Sequence, residues 1–164
     1  MPLGNIVETL EGFFGERQGG YHVVLAPLFL GNYGHTLELG NERVVYSFLC
    51  PMEVGGDGLP RCGGALFHEF AHSFVNPLTE ESKGKYRNLD TLFKPIFDRM
   101  SNLNYGDSYT IINEHILRAV ELKALHPTEL QEGLNQEEAR GFVYVRPIFD
   151  LLTKYDRVRY RSFS

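Results

Sequence analysis

The stretch Ala65-Leu66-Phe67-His68-Glu69-Phe70-Ala71-His72-Ser73-Phe74 carries a single charged side chain, Glu69. On a helix, at about 100° per residue, His68 and His72 fall within about 40° of each other, with Glu69 about 60° beyond His72. Leu66, Phe67, Phe70 and Phe74 gather on the opposite side. Such a helix must bury its aromatic face in a core while presenting two imidazoles and a carboxylate on another face. Burying those polar groups without partners would cost about 2–7 kcal/mol each. A metal ion removes the difficulty, and His-Glu-x-x-His is the spacing at which two imidazoles one turn apart hold zinc while the Glu acts on its water.

The 164 residues fit one domain, expected to span 1–164, with a core of useful size. A net charge of −5, without a Lys/Arg cluster, argues against a nucleic-acid partner. Lys154 to Arg161 is the most basic stretch, and its alternation with Val158 and Tyr160 reads as a solvated tail or edge. No apolar run approaches the 18 or so residues of a membrane span. The opening Met-Pro-Leu-Gly-Asn-Ile-Val-Glu has neither the basic nor the apolar region of a signal peptide. It reads as entry into a helix, so the expectation is a fragment of a longer protein, cytoplasmic, or exported if a leader was removed. Cys50 and Cys62 flank a glycine-rich loop. They could pair in an oxidising compartment or stay as thiols, and they lack the CxxC spacing of a structural zinc site.

Taken in order, Ile6, Val7, Leu10, Phe13 and Phe14 have helical spacing over 5–14, ending at Gly15. Tyr21 to Leu30 reads as a strand, with Pro27 at its edge or end. Two further strands, His35–Leu39 and Arg43–Cys50, follow turns at Gly31–Gly34 and Gly40-Asn41, giving a hairpin or meander. Pro51 to Gly64 reads as a loop. The motif helix is expected over Gly64–Val75, ending before Pro77. Beyond it come a helix over Asn88–Leu103 kinked or restarted at Pro95, a turn at Asn104–Asp107, and a helix over Ser108–Leu125. A last helix from Asn135 towards Tyr155 is interrupted near Pro147. A small N-terminal sheet followed by helices is an α+β domain.

A catalytic zinc takes three protein ligands and keeps a position for water. His35, Glu38, Glu42, Glu80, Glu81, Asp90 and Asp98 are acidic or imidazole groups within reach in sequence. Val75 and Leu78 stand where a His-Glu-x-x-His-x-x-Gly-x-x-His pattern needs Gly and His. The third ligand therefore comes from a later helix. On Ser108–Leu125, Ile112, Ile116, Ala119 and Val120 make an apolar side. Glu114, Arg118 and Glu121 make a stripe at spacings of four and three. That stripe is either an exposed ion-pair ladder, or Glu114 binds the metal while Arg118 orients it or receives a substrate carboxylate. His115 is a rival ligand, and Asp107 a weaker one.

His68-Glu69-Phe70-Ala71-His72 followed later by Asn113-Glu114 resembles the gluzincins, zincin-fold metallopeptidases whose third ligand is a Glu on the next main helix. A narrower resemblance is to the bacterial domain of unknown function 4932 family, a group of suspected metalloproteases. It is carried by Tyr21-His22-Val23-Val24-Leu25-Ala26-Pro27-Leu28, by His68 through Leu78, by Asn104-Tyr105-Gly106 and by Asn113 through Ala119. The resemblance implies a zincin-like fold with the metal site between the motif helix and a later helix. It also implies His68, His72 and Glu114 as ligands of one catalytic Zn²⁺, and Glu69 as general base towards a peptide or protein substrate. Thermolysin-like gluzincins carry an Asp four residues after the ligand Glu, where this chain has Arg118. The family also has more sequence on the N-terminal side. Tyr105, Tyr109, His115, His126 and Tyr144 are candidate donors to a developing oxyanion. Tyr21–Leu28 or Arg43–Leu49 is the expected strand along which substrate lies. The alternatives are an inactive zincin-fold domain that binds metal or a partner, and a zinc hydrolase of non-peptide amides.

Overall fold

The computed structural model describes residues 3–50, 53–54, 60–61, 64–85, 88–125 and 130–155. The chain forms two compact units, Met1–Phe74 and Val75–Ser164.

The first unit opens with helix α1, Leu3–Phe14. Ile6, Leu10 and Phe14 recur every four residues and are buried. Gly15, at φ 80°, ends the helix in the left-handed region that glycine enters without steric cost. Three strands follow: β1 Gly20–Leu25, β2 Tyr33–Leu39 and β3 Glu42–Leu49. Their order is β1-β3-β2, with β2 antiparallel and β1 parallel to β3. The hairpin half of the expectation holds for β2 and β3, joined tightly through Gly40 at φ 64°. The first strand is not part of a simple meander, because it pairs on the far side of β3. It also stops at Leu25, short of the expected Leu30. Ala26 makes the final ladder bond, to the Leu49 carbonyl, and Pro27 has no N–H to add another. Central β3 alternates as a half-covered strand should: Val45, Ser47 and Leu49 are fully buried, while Val44, Tyr46 and Phe48 are partly exposed.

Within the stretch expected as a loop, Glu53–Val54 (β4) and Pro60–Arg61 (β5) form a short antiparallel ladder. Helix α2, Ala65–Glu81, carries the motif. Phe67, Phe70, Ala71 and Phe74 form its buried face. Phe74 stacks on Phe14 at 4.8 Å, and Phe70 meets Tyr21 at 5.0 Å. The helix does not stop at Val75. It continues through Pro77, although an interior proline costs about 3 kcal/mol. The turn beyond is tied back by Thr79, itself buried, whose hydroxyl donates to the Asn76 carbonyl at 3.0 Å. Packing here outweighs the local proline signal.

In the second unit, α3 (Leu89–Phe93), a 3₁₀ turn (Lys94–Ile96) and α4 (Phe97–Ser101) replace one long helix. Pro95 sits at the start of that 3₁₀ turn, where its missing N–H is harmless. Helix α5 occupies Ser108–Leu125, as expected. Asp107 caps it, one carboxylate oxygen accepting from the amides of Tyr109 at 2.9 Å and Thr110 at 3.0 Å. The expected last helix is two helices, α6 Leu130–Arg140 and α7 Val145–Leu152. The break is at Gly141, φ 110°, rather than at Pro147, which lies in the first turn of α7 where no helical N–H bond is lost. Phe93, Met100, Ile111, Leu117, Val120, Phe142 and Val145 are buried in this unit at 1% exposure or less.

No helix among the described residues is long and apolar enough to cross a membrane. Cys50 is a partly buried free thiol, while Cys62 lies outside the described residues, as does most of the basic tail.

Candidate metal centre

One turn of α2 brings three of the expected residues together. The rings of His68 and His72 stand almost perpendicular, at 85°, with centroids 5.1 Å apart. Both are partly exposed, whereas Glu69 between them is buried at 7% exposure. This is the geometry the heptad-free apolar stripe of the helix dictates: its aromatic residues take the core and leave the imidazoles towards the opposite side.

A second element frames that turn, and its role is not visible in the motif. Gly34 of β2 lies against the backbone of Glu69. A methyl group there would collide with the Glu69 carbonyl oxygen and lie 3.3 Å from the carboxylate Oε2. Glycine is thus required for the strand to pass so close to the helix. Gly34→Ala is expected to destabilise the protein by about 1–3 kcal/mol through overpacking, measurable as a lower urea midpoint at an unchanged m value.

Glu114 lies on α5 in the second unit, and its surroundings overturn the ladder reading of the sequence. Glu114 is 4% exposed and Arg118 9%, so these two members of the stripe are buried rather than solvated, while Glu121 is partly exposed. Arg118 donates to Glu114 Oε2 at 3.2 Å, to Glu137 Oε2 at 3.4 Å and to the Tyr105 hydroxyl at 3.4 Å. Its guanidinium lies over the Phe142 ring, 3.9 Å from the centroid. Burial opposes the charge on Arg118, but the carboxylates of Glu137 and Glu114 hold its pKa above the ordinary value. Tyr105 accepts from Arg118; burial, followed by the Glu114 charge, pushes its hydroxyl pKa up, so it stays neutral. With two carboxylates and a phenol around it, Arg118 is occupied by the protein itself. That favours its orienting Glu114 over receiving a substrate carboxylate.

The rivals are placed elsewhere. His115 is fully buried among Phe93, Phe142 and Tyr144, with Nδ1 at 2.7 Å from the Ile111 carbonyl. Burial keeps its pKa below the usual histidine range, so it is neutral and Nδ1 is the donor in that bond. It packs the core. Asp107 is the α5 cap; burial raises its pKa, but bonds from Thr110 and Tyr109 outweigh this and hold it below the usual range. The Tyr144 hydroxyl donates to the Leu92 carbonyl at 2.8 Å, and the Tyr109 ring lies under Lys83. Of the donors considered, Tyr105 is therefore the one that shares Arg118 with Glu114; His126 lies outside the described residues.

Sequence reasoning did not find Glu137 and Phe142 as partners of Arg118. Glu137 is on α6 and Phe142 follows the Gly141 break, so no helical spacing links them to α5. The one available signal is Arg118 itself, a cation amid apolar residues that must find compensation when buried.

No curated protein and no solved structure matches the chain. The family model described as Domain of unknown function (DUF4932) matches residues 1–164, in agreement with the narrower of the two resemblances. With the match covering the whole chain, the protein belongs to the DUF4932 family.

Proposed function

We propose that the protein is a zinc-dependent metallopeptidase in which His68, His72 and Glu114 hold the ion and Glu69 is the general base. The observation that carries this reading is the donor set: His68 and His72 stand one turn apart on α2 with ring centroids 5.1 Å apart, and Glu114 is a buried carboxylate on α5. Two imidazoles and a carboxylate are zinc's preferred chemistry for a catalytic site, and three ligands leave a position open.

When bound, zinc lowers the pKa of water towards neutrality and polarises a carbonyl. The rest falls to the chain. Glu69 takes a proton from the attacking water and returns it to the leaving amine. Its burial beside Gly34 limits its motion and keeps it next to strand β2. That strand supports a peptide substrate over a small amide. Among the described residues it is an edge of the sheet, the position to which a strand can be added, and it runs against Glu69. Of the two strands expected for this role, β3 is paired on both sides and cannot accept another. β1 is the opposite edge.

The test is elemental analysis of the purified protein combined with digestion of a mixed peptide library. The reading expects about one zinc per chain and cleavage abolished by a chelator. A protein that takes up no zinc, or that cleaves equally well after chelation, overturns it.

A further inference from the structure

The Arg118 cluster has features that stability does not explain. A buried ion pair is weak evidence for stability, because desolvation offsets the Coulomb attraction. Here the bonds are long, at 3.2–3.4 Å, and Arg118 Nε is buried with no hydrogen-bond partner among the described residues. Such an orphan donor costs about 1–3 kcal/mol. An apolar side chain of similar size would fill the same space without that penalty. The arrangement nonetheless draws on two helices and two connecting segments. Glu114 and Arg118 come from α5, Tyr105 from the turn before α5, Glu137 from α6, and Phe142 from the break after α6. Glu137 is itself tied on its other oxygen to Arg140 at 2.9 Å, and the Arg140 guanidinium lies 5.5 Å from the Phe142 centroid.

We propose that Arg118 is a positioning residue for the metal ligand Glu114, and that Glu137 and Phe142 form the frame that holds it. The inference rests on Glu114 being a ligand, as proposed above. The frame acts on orientation. Arg118 grips Oε2 of Glu114, the phenol of Tyr105 accepts from the same guanidinium, and the flat ring of Phe142 lies against it and holds its plane. A carboxylate fixed in this way gives up less conformational freedom when it takes a metal. Groups that orient a ligand from behind typically contribute 10- to 100-fold to metal affinity. A cation in this place also differs from the carboxylate expected from the gluzincin resemblance.

The experiment measures zinc affinity by chelator competition on the purified wild-type protein and on Arg118→Met, Arg118→Lys and Glu137→Gln. The absorption spectrum of each cobalt-substituted form is recorded alongside. Arg118→Met is expected to bind zinc about 10- to 100-fold more weakly and to change the cobalt spectrum. Lys should recover part of the loss. Glu137→Gln, which is isosteric and sits farther from the ligand, should weaken binding in the same direction and by less. Circular dichroism reports folding, and if Arg118→Met does not fold, Arg118→Lys and Glu137→Gln decide. Folded variants that bind zinc as tightly as the wild type, or more tightly, overturn the inference. Absence of zinc binding by the wild type would instead remove the reading on which it rests, so the two failures are distinct.

Discussion

Glu69→Gln is expected to retain zinc at the wild-type stoichiometry and to lower kcat by about 10²–10⁴, the usual contribution of a positioned general base. The amide has nearly the shape of the carboxylate, so the buried site on α2 is filled as before and the approach of Gly34 is preserved. What is lost is the ability to accept a proton. The measurement pairs elemental analysis with turnover of whichever peptide the library digest identifies. Retention of both zinc and turnover would remove Glu69 from the mechanism. Loss of zinc along with turnover would show that the substitution disturbs the helix rather than the proton transfer.

His68→Ala is expected to take the zinc content from about one per chain to near zero at micromolar protein, with activity lost in parallel. Removing one of two imidazoles leaves a single nitrogen on the helix, and the remaining ligands no longer make a three-point site. His72→Ala should behave in the same way. Because both rings are partly exposed, their removal leaves the buried aromatic face of α2 intact, and the metal-free protein should keep its far-ultraviolet circular dichroism. A His68→Ala protein that holds zinc at full stoichiometry would show that the ion sits elsewhere.

Local order was legible in the residues themselves. The three-and-four spacing of Phe67, Phe70 and Phe74 identified a helix with a buried face, and the same period set His68 beside His72. Ser108–Leu125 was read to the residue because a polar start, an unbroken periodic run and Pro127 bound it on both sides. Errors came where packing overrides a local signal. Pro77 marks a helix end in any isolated peptide, yet α2 runs through it. The break in the last helical stretch was assigned to Pro147, when Gly141 with its positive φ makes it. A strand pattern likewise says nothing about partners, so the parallel pairing of β1 with β3 was not visible.

By itself, then, the sequence determined that one helix carries His68 and His72 side by side with Glu69 between them, and that the fold is α+β. These follow from periodicities that act over a few residues. Only the tertiary structure decided that Arg118 is buried against Glu114, Glu137 and Phe142, and that β2 is the strand held against Glu69 through Gly34. Those facts join residues far apart in the chain. Burial and the compensation of charge depend on what packs around a side chain, and no spacing along one helix or strand encodes that.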